Sequence, residues 1–184
     1  MVGLDIWEER LVELMKQGSH EAFERCYRLI SSNIYTVIYK VCRNEATAQE
    51  LLQDTFLDIF QNIHSYKSNQ SFVAWAKRIA FNNTLNAIKK RNRIELVADM
   101  PELTCELECN LTKQLIDSQL IESLLENVSE IERLVLWLFV VEQYNHEEIA
   151  ALVSKTSSYS KSIISRTLNR IRLSQEATDY AYKQ

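Results

Sequence analysis

The densest chemistry in the chain lies in the run FVAWAKRIAFNNTLNAIKKRNR, residues 72–93, which holds six Lys and Arg and no Asp or Glu. On a 3.6-residue period Trp75, Arg78, Asn82, Asn86, Lys89 and Arg93 fall at steps of three or four and share one face. Val73, Ala76, Ile79, Ala80 and Ala87 point mostly elsewhere. An aromatic plate stacks on any base, amides hydrogen-bond to base edges and cations pair with phosphates, so the mixture suits single-stranded DNA or an opened duplex. Trp75 taken alone fits a core position equally well. Two adjacent Asn, Asn82 and Asn83, are poor helix formers, so something other than helix stability placed at least one of them.

A second candidate is the pair Cys105 and Cys109, spaced C-x3-C, as a redox-sensing thiol pair or as two metal ligands. Strong zinc sites need four ligands, and His20, His64 and His146 are scattered, so neither a metal nor a cofactor is expected. The sequence holds no Gly-rich phosphate loop, nucleophile motif or cluster of His with carboxylates, and catalysis is not expected.

The formal net charge of −4 hides an uneven distribution. Residues 1–94 carry 13 basic and 10 acidic groups, residues 95–132 carry ten acids against Lys113 alone, and residues 153–173 carry five bases and no acid. Two basic patches flanking an acidic segment are the electrostatic footprint of phosphate binding, although solvated helix faces give similar runs.

With only two Gly and one Pro in 184 residues, the turns that sheets require are missing and an all-α chain is expected. Apolar spacing predicts helices over residues 5–16, 20–43, 46–63 and 72–93, with Ser19 and Ser71 placed as N-caps and residues 66–70 as a polar loop. Further helices are predicted over 115–127, 130–141, 146–153 and 160–178. The chain thus divides into a domain at 1–94, an acidic linker at 95–113 containing the lone Pro, and a second domain at 114–180. The longest apolar run, residues 134–141, falls far short of the roughly 20 residues that cross a bilayer. The acidic N-terminus lacks a signal-peptide pattern, and a cytoplasmic protein with reduced thiols is expected.

The segments GSHEAFERCY, ELLQDTF and SFVAWAKRIAFNN with its following KKRNR resemble, in order and spacing, region two of the extracytoplasmic-function group of bacterial sigma factors. EIERLVLWLFVVEQYNHEEIAALV followed by SRTLNRIR resembles their region four. The resemblance implies two helical domains on a flexible linker, a non-catalytic role in giving RNA polymerase its promoter specificity, and an anti-sigma protein as a further partner. It implies that Leu52, Gln53, Asp54 and Phe56 form or support the contact with the clamp helices of the largest polymerase subunit, Leu52 and Phe56 being expected in the core. A contact with the beta flap is implied as well.

By the same resemblance, Asn82 helps hold a base flipped from the non-template strand of the minus-ten element. The loop with Tyr66, Lys67 and Asn69 builds the pocket, Trp75, Arg78 and Asn86 share its face, and Lys89, Lys90, Arg91 and Arg93 neutralise phosphates. In the second domain Lys161, Ser162, Ser165, Arg166 and Arg170 are the candidates for contacts with the minus-thirty-five element. SKTSSYSKS there has no Gly and reads as a turn about three residues longer than the family's, and Val128-Ser129 stands where Leu-Pro is common. An alternative fits the long turn: a sigma-like adaptor or decoy that binds polymerase or an anti-sigma protein without recognising promoters.

Overall fold

The computed structural model describes residues 4–68, 71–95 and 128–182. Among them run α1 (Leu4–Lys16), α2 (His20–Cys42), α3 (Glu45–Gln61), a 3-10 turn (Ile63–Ser65), α4 (Phe72–Glu95), α5 (Glu130–Val140), α6 (His146–Val153) and α7 (Ser157–Tyr182), and the described residues include no strand. The all-α expectation holds, and α1 to α6 end within two residues of their predicted bounds. Contacts divide the chain into two compact units, Met1–Arg91 and Asn92–Gln184. The expected linker beyond Glu95, with Cys105 and Cys109, and the expected helix at 115–127 lie outside the described residues.

The first unit is organised on α2. Ala22, Cys26, Ile30, Ile34, Ile38 and Cys42 recur every four residues and all are buried. Each such step advances the stripe by about 40° around the axis, so it winds and meets different neighbours along the helix. Those neighbours contribute Leu11, Val12 and Met15 from α1, Leu51, Leu52, Phe56 and Ile59 from α3, and Phe72, Ala76 and Ala80 from α4. Tilted ring contacts of 4.6 Å, Phe23 on Phe60 and Tyr27 on Phe56, fix α2 against α3. Cys26 sits deep in this core, and burial pushes its thiol up to about 12.

Short polar caps set the helix ends. Ser19 accepts from the Ala22 N–H at 3.3 Å, as expected from its place before α2. Arg43 closes α2 at φ 52°, its N–H donating to the Tyr39 carbonyl, and Asn44 opens α3 by accepting from the Thr47 N–H at 2.9 Å. Ser71 precedes α4 and its carbonyl accepts from the Trp75 N–H.

In the second unit Ser129 and Glu132 form a capping box at the start of α5, so Ser129 supplies a helix start by hydrogen bonding where Pro would supply it by its fixed φ. Asn145 and Glu148 form another at α6. The expected long turn is corrected here. Thr156 caps α7, its hydroxyl accepting from the Tyr159 N–H at 3.2 Å, so the helix starts at Ser157 and only residues 154–156 form the turn. Ser154 takes the left-handed conformation at φ 58°, the role that Gly usually fills. Among the described residues of this unit, Val128, Leu134, Val135, Leu138, Ile149, Ala150, Val153, Ile163 and Ile164 are buried apolar residues.

His146 stacks on Phe139 at 4.9 Å, and its Nδ1 lies 3.1 Å from the Ser160 hydroxyl. Burial, with Lys161 nearby, holds its imidazole below the ordinary value.

Two outcomes are expected. Ser154→Gly relieves the left-handed strain of about 1–2 kcal/mol but adds about 0.5–1 kcal/mol of chain entropy, for a net stabilisation of a few tenths to about 1 kcal/mol in urea denaturation. As pH falls through about 6.5 the unfolded chain takes up the His146 proton before the folded one does, so stability declines. The thermal midpoint of the wild type therefore drops further between about pH 7.5 and 5.5 than that of His146→Phe.

Candidate nucleic-acid interface

Burial fixes how α4 is turned. Phe72, Ala76, Ala80, Phe81, Thr84, Leu85 and Ile88 face inward, and the Thr84 hydroxyl is satisfied by the Ala80 carbonyl at 2.8 Å. Arg78, Asn82, Asn86, Lys89 and Lys90 are exposed, and Trp75 is half-buried. The stripe read from spacing is thus the outward face from Trp75 to Lys89. The side chain of Arg93 lies outside the described residues.

An open, shallow groove of about 320 Å³ lies on this face, lined by Asp58, Asn62, Ser65, Trp75, Ile79, Asn82 and Asn83. This is the lower end of the range of about 300–1,000 Å³ typical of small-molecule sites. The structure brings Trp75 and Asn82 together in it. Spacing did not single out the other polar walls. Asn83 donates from Nδ2 to Asp58 Oδ2 at 2.8 Å, which ties α4 to α3, and the Ser65 hydroxyl donates to the Asn62 carbonyl at 2.7 Å. The two adjacent Asn therefore have different tasks: Asn83 braces the groove and Asn82 is presented to solvent.

Tyr66 requires a correction. It is buried rather than displayed on a loop, with its ring 5.4 Å from Phe72 in an edge contact and 5.5 Å from Trp75. An apolar ring following Ile63 finds the core closer than water does, so Tyr66 supports the groove from behind. Lys67 is exposed, and Asn69 lies outside the described residues.

On α3, Leu52 and Phe56 are core residues, as expected, and Phe56 is held between Tyr27 and Phe60. Gln53 and Asp54 are exposed beside Leu57, which is 56% exposed and was missed. Leu57 stands four residues after Gln53, off the buried period, and that displacement was its signal in the sequence.

In the second unit Ser158, Lys161 and Asn169 are exposed, with Ser162, Ser165 and Arg166 half-buried. These residues recur at three- and four-residue steps opposite Ser160, Ile163, Ile164 and Thr167, which are buried. Ser158 came into this set only because α7 starts three residues earlier than predicted, whereas Asn169 lay within the predicted helix and was passed over. Arg170 is exposed, and its Nη2 pairs with Glu132 Oε1 at 2.7 Å, back across the unit to α5. Burial raises the Glu132 carboxyl, but hydrogen bonds from Ser129 and the Arg170 charge outweigh it and hold the group below its ordinary value. With three residues in the turn, the elongation that suited an adaptor without promoter recognition is gone.

Residues 23–94 match the Sigma-70 region 2 family. The ECF RNA polymerase sigma factor SigW of Bacillus subtilis (strain 168) is 27% identical over 88 residues, 48% of this chain and 47% of that protein, so the match spans about half the length of that relative. The RNA polymerase sigma factor CarQ of Myxococcus xanthus is 24% identical over 148 residues, covering 77% of this chain and 82% of that protein. Among solved structures, the sigma factor RpoE of Bartonella quintana in complex with the anti-sigma factor NepR shares the fold, with a TM-score of 0.55 and 20% identity over 82% of this chain and 94% of that one.

The contrast between the two Asn is measurable by urea denaturation. Asn83→Ala leaves Asp58 half-buried without this donor and costs about 1–2 kcal/mol, whereas Asn82→Ala stays within about 0.5 kcal/mol of the wild type.

Proposed function

We propose that the chain, as a member of the extracytoplasmic-function group of the sigma-70 family, binds core RNA polymerase in the cytoplasm and directs it to promoters, where it helps open the minus-ten element. The observation that carries this reading is the groove at Trp75 and Asn82 on a helix face that also bears Arg78 and Lys89. Flipping a base out of the stack costs a few kcal/mol. Stacking on an aromatic ring returns about 1–3 kcal/mol per base, and amide hydrogen bonds from Asn82 add to it, so the groove offsets the cost for a base that fits.

Lys67, Arg78, Lys89 and Lys90 neutralise flanking phosphates and position the strand without reading it. The exposed Gln53, Asp54 and Leu57 on α3 meet the clamp helices of the largest subunit, with Leu52 and Phe56 supporting them from the core. In the second unit α7 enters the major groove of the minus-thirty-five element, where Ser158, Lys161, Ser162, Ser165 and Arg166 are the residues within reach. The protein contributes specificity and strand separation, and the polymerase supplies the chemistry. An anti-sigma protein that covers the polymerase-binding surfaces belongs to the same reading.

The test is transcription in vitro with core polymerase and fragmented DNA from the source genome. Wild type yields discrete promoter-specific transcripts. Asn82→Ala binds core as well as wild type does but loses about tenfold or more in open-complex formation, the equivalent of one lost amide–base contact. Core binding with no promoter-specific transcript would sink the proposal.

A further inference from the structure

We propose that Lys16, at the end of α1, is a positioning residue for base capture in the groove; this rests on the function proposed above and deepens it. Among the described side chains, none from α1 lines the groove. Yet α1 packs against the 3-10 turn Ile63–Ser65 that forms one wall, with Met15 and Ile63 both almost wholly buried. From its last turn, Lys16 Nζ donates to the carbonyl of Tyr66 at 3.2 Å, fifty residues along the chain, and lies 5.9 Å from the centroid of the Tyr66 ring.

Tyr66 is the point on which two walls depend. It directly follows Ser65, and its ring meets Trp75 at 5.5 Å. A line of contacts thus runs from Lys16 through Tyr66 to Trp75, and the backbone of the same tyrosine carries Ser65. At residue 66 the chain also leaves the 3-10 turn for extended backbone, at φ −65° and ψ 130°, so an anchor there decides where the following segment begins.

The anchor is itself fixed. α1 ends sharply, with the N–H groups of Gly18 and Ser19 donating to the carbonyls of Met15 and Leu14 and Gly18 at φ 82°. A cation is favoured in that last turn by the helix dipole, and the buried Leu11, Val12 and Met15 hold the helix in register. Lys16 therefore sets the Trp75 wall before DNA arrives. Binding and catalytic geometries tolerate errors of about 0.5 Å, so loss of this anchor shows in base capture rather than in overall DNA affinity.

The experiment uses the full chain with core polymerase on a promoter recovered by the transcription mapping above, with 2-aminopurine at successive non-template positions of its minus-ten element. Lys16→Met keeps the apolar stem and removes donor and charge, and Lys16→Arg keeps both. The fluorescence rise of base flipping is expected to be slower by about tenfold in Lys16→Met and to return to within about twofold of wild type in Lys16→Arg. Core affinity and the slope of log K against log salt stay unchanged. A lysine that contacted a phosphate would instead reduce that slope by about one on its loss. That slope change, or wild-type flipping in Lys16→Met, overturns the proposal. Should Lys16→Met not fold, Lys16→Gln is read against the same criteria. If the wild type yields no promoter, the proposed function has failed and this inference with it; a promoter melted equally fast by both chains overturns this inference alone.

Discussion

Everything presented on the first unit depends on the angle at which α4 is rotated about its own axis. Seven inward positions fix that angle, large at Phe72, Phe81, Leu85 and Ile88 and small at Ala76 and Ala80, where neighbouring elements can approach closely. A slip of one residue turns the helix by about 100°. In one direction it would carry Asn82 into the buried place of Phe81 without a partner, and in the other it would bring Phe81 to the exposed place of Asn82, at about 1–3 kcal/mol in either case. The interface is specified by the residues that never touch it.

The second unit reaches a fixed geometry by other means. Where a Pro or Gly would constrain the backbone covalently or by permissiveness, this chain uses side-chain oxygens: Ser129, Asn145 and Thr156 each accept an N–H at a helix start. Ser154 takes the left-handed turn position itself. The Arg170–Glu132 pair then links the middle of α7 to the first turn of α5, with Glu132 already held by Ser129. One carboxylate serves both as a cap and as the counter-charge of the last helix.

Much of this was legible in the sequence, and what was not has a consistent cause. The four-residue recurrence on α2 and the three- and four-residue steps on α4 gave the helices and their faces, because periodicity follows from helix geometry. The start of α7 was misplaced because Thr156, Ser157, Ser158 and Ser160 are all plausible caps by type, and only the fold decides which hydroxyl meets an N–H. Tyr66 was read as a loop residue because its polar neighbours Ser65 and Lys67 mask a ring that packs on Phe72 and Trp75. Asn83–Asp58 and Arg170–Glu132 join residues 25 and 38 positions apart, a relation that single-chain spacing does not encode.

Cys26 gives the first unit a built-in recorder. Its sulfur is fully enclosed, and burial disfavours the thiolate that alkylating reagents attack. Modification of that sulfur must therefore wait for α2 to part from its neighbours, so the rate at which it is labelled counts the openings of the core. Because the same core sets the rotation of α4, that clock times how often the groove face of this helix is lost and remade.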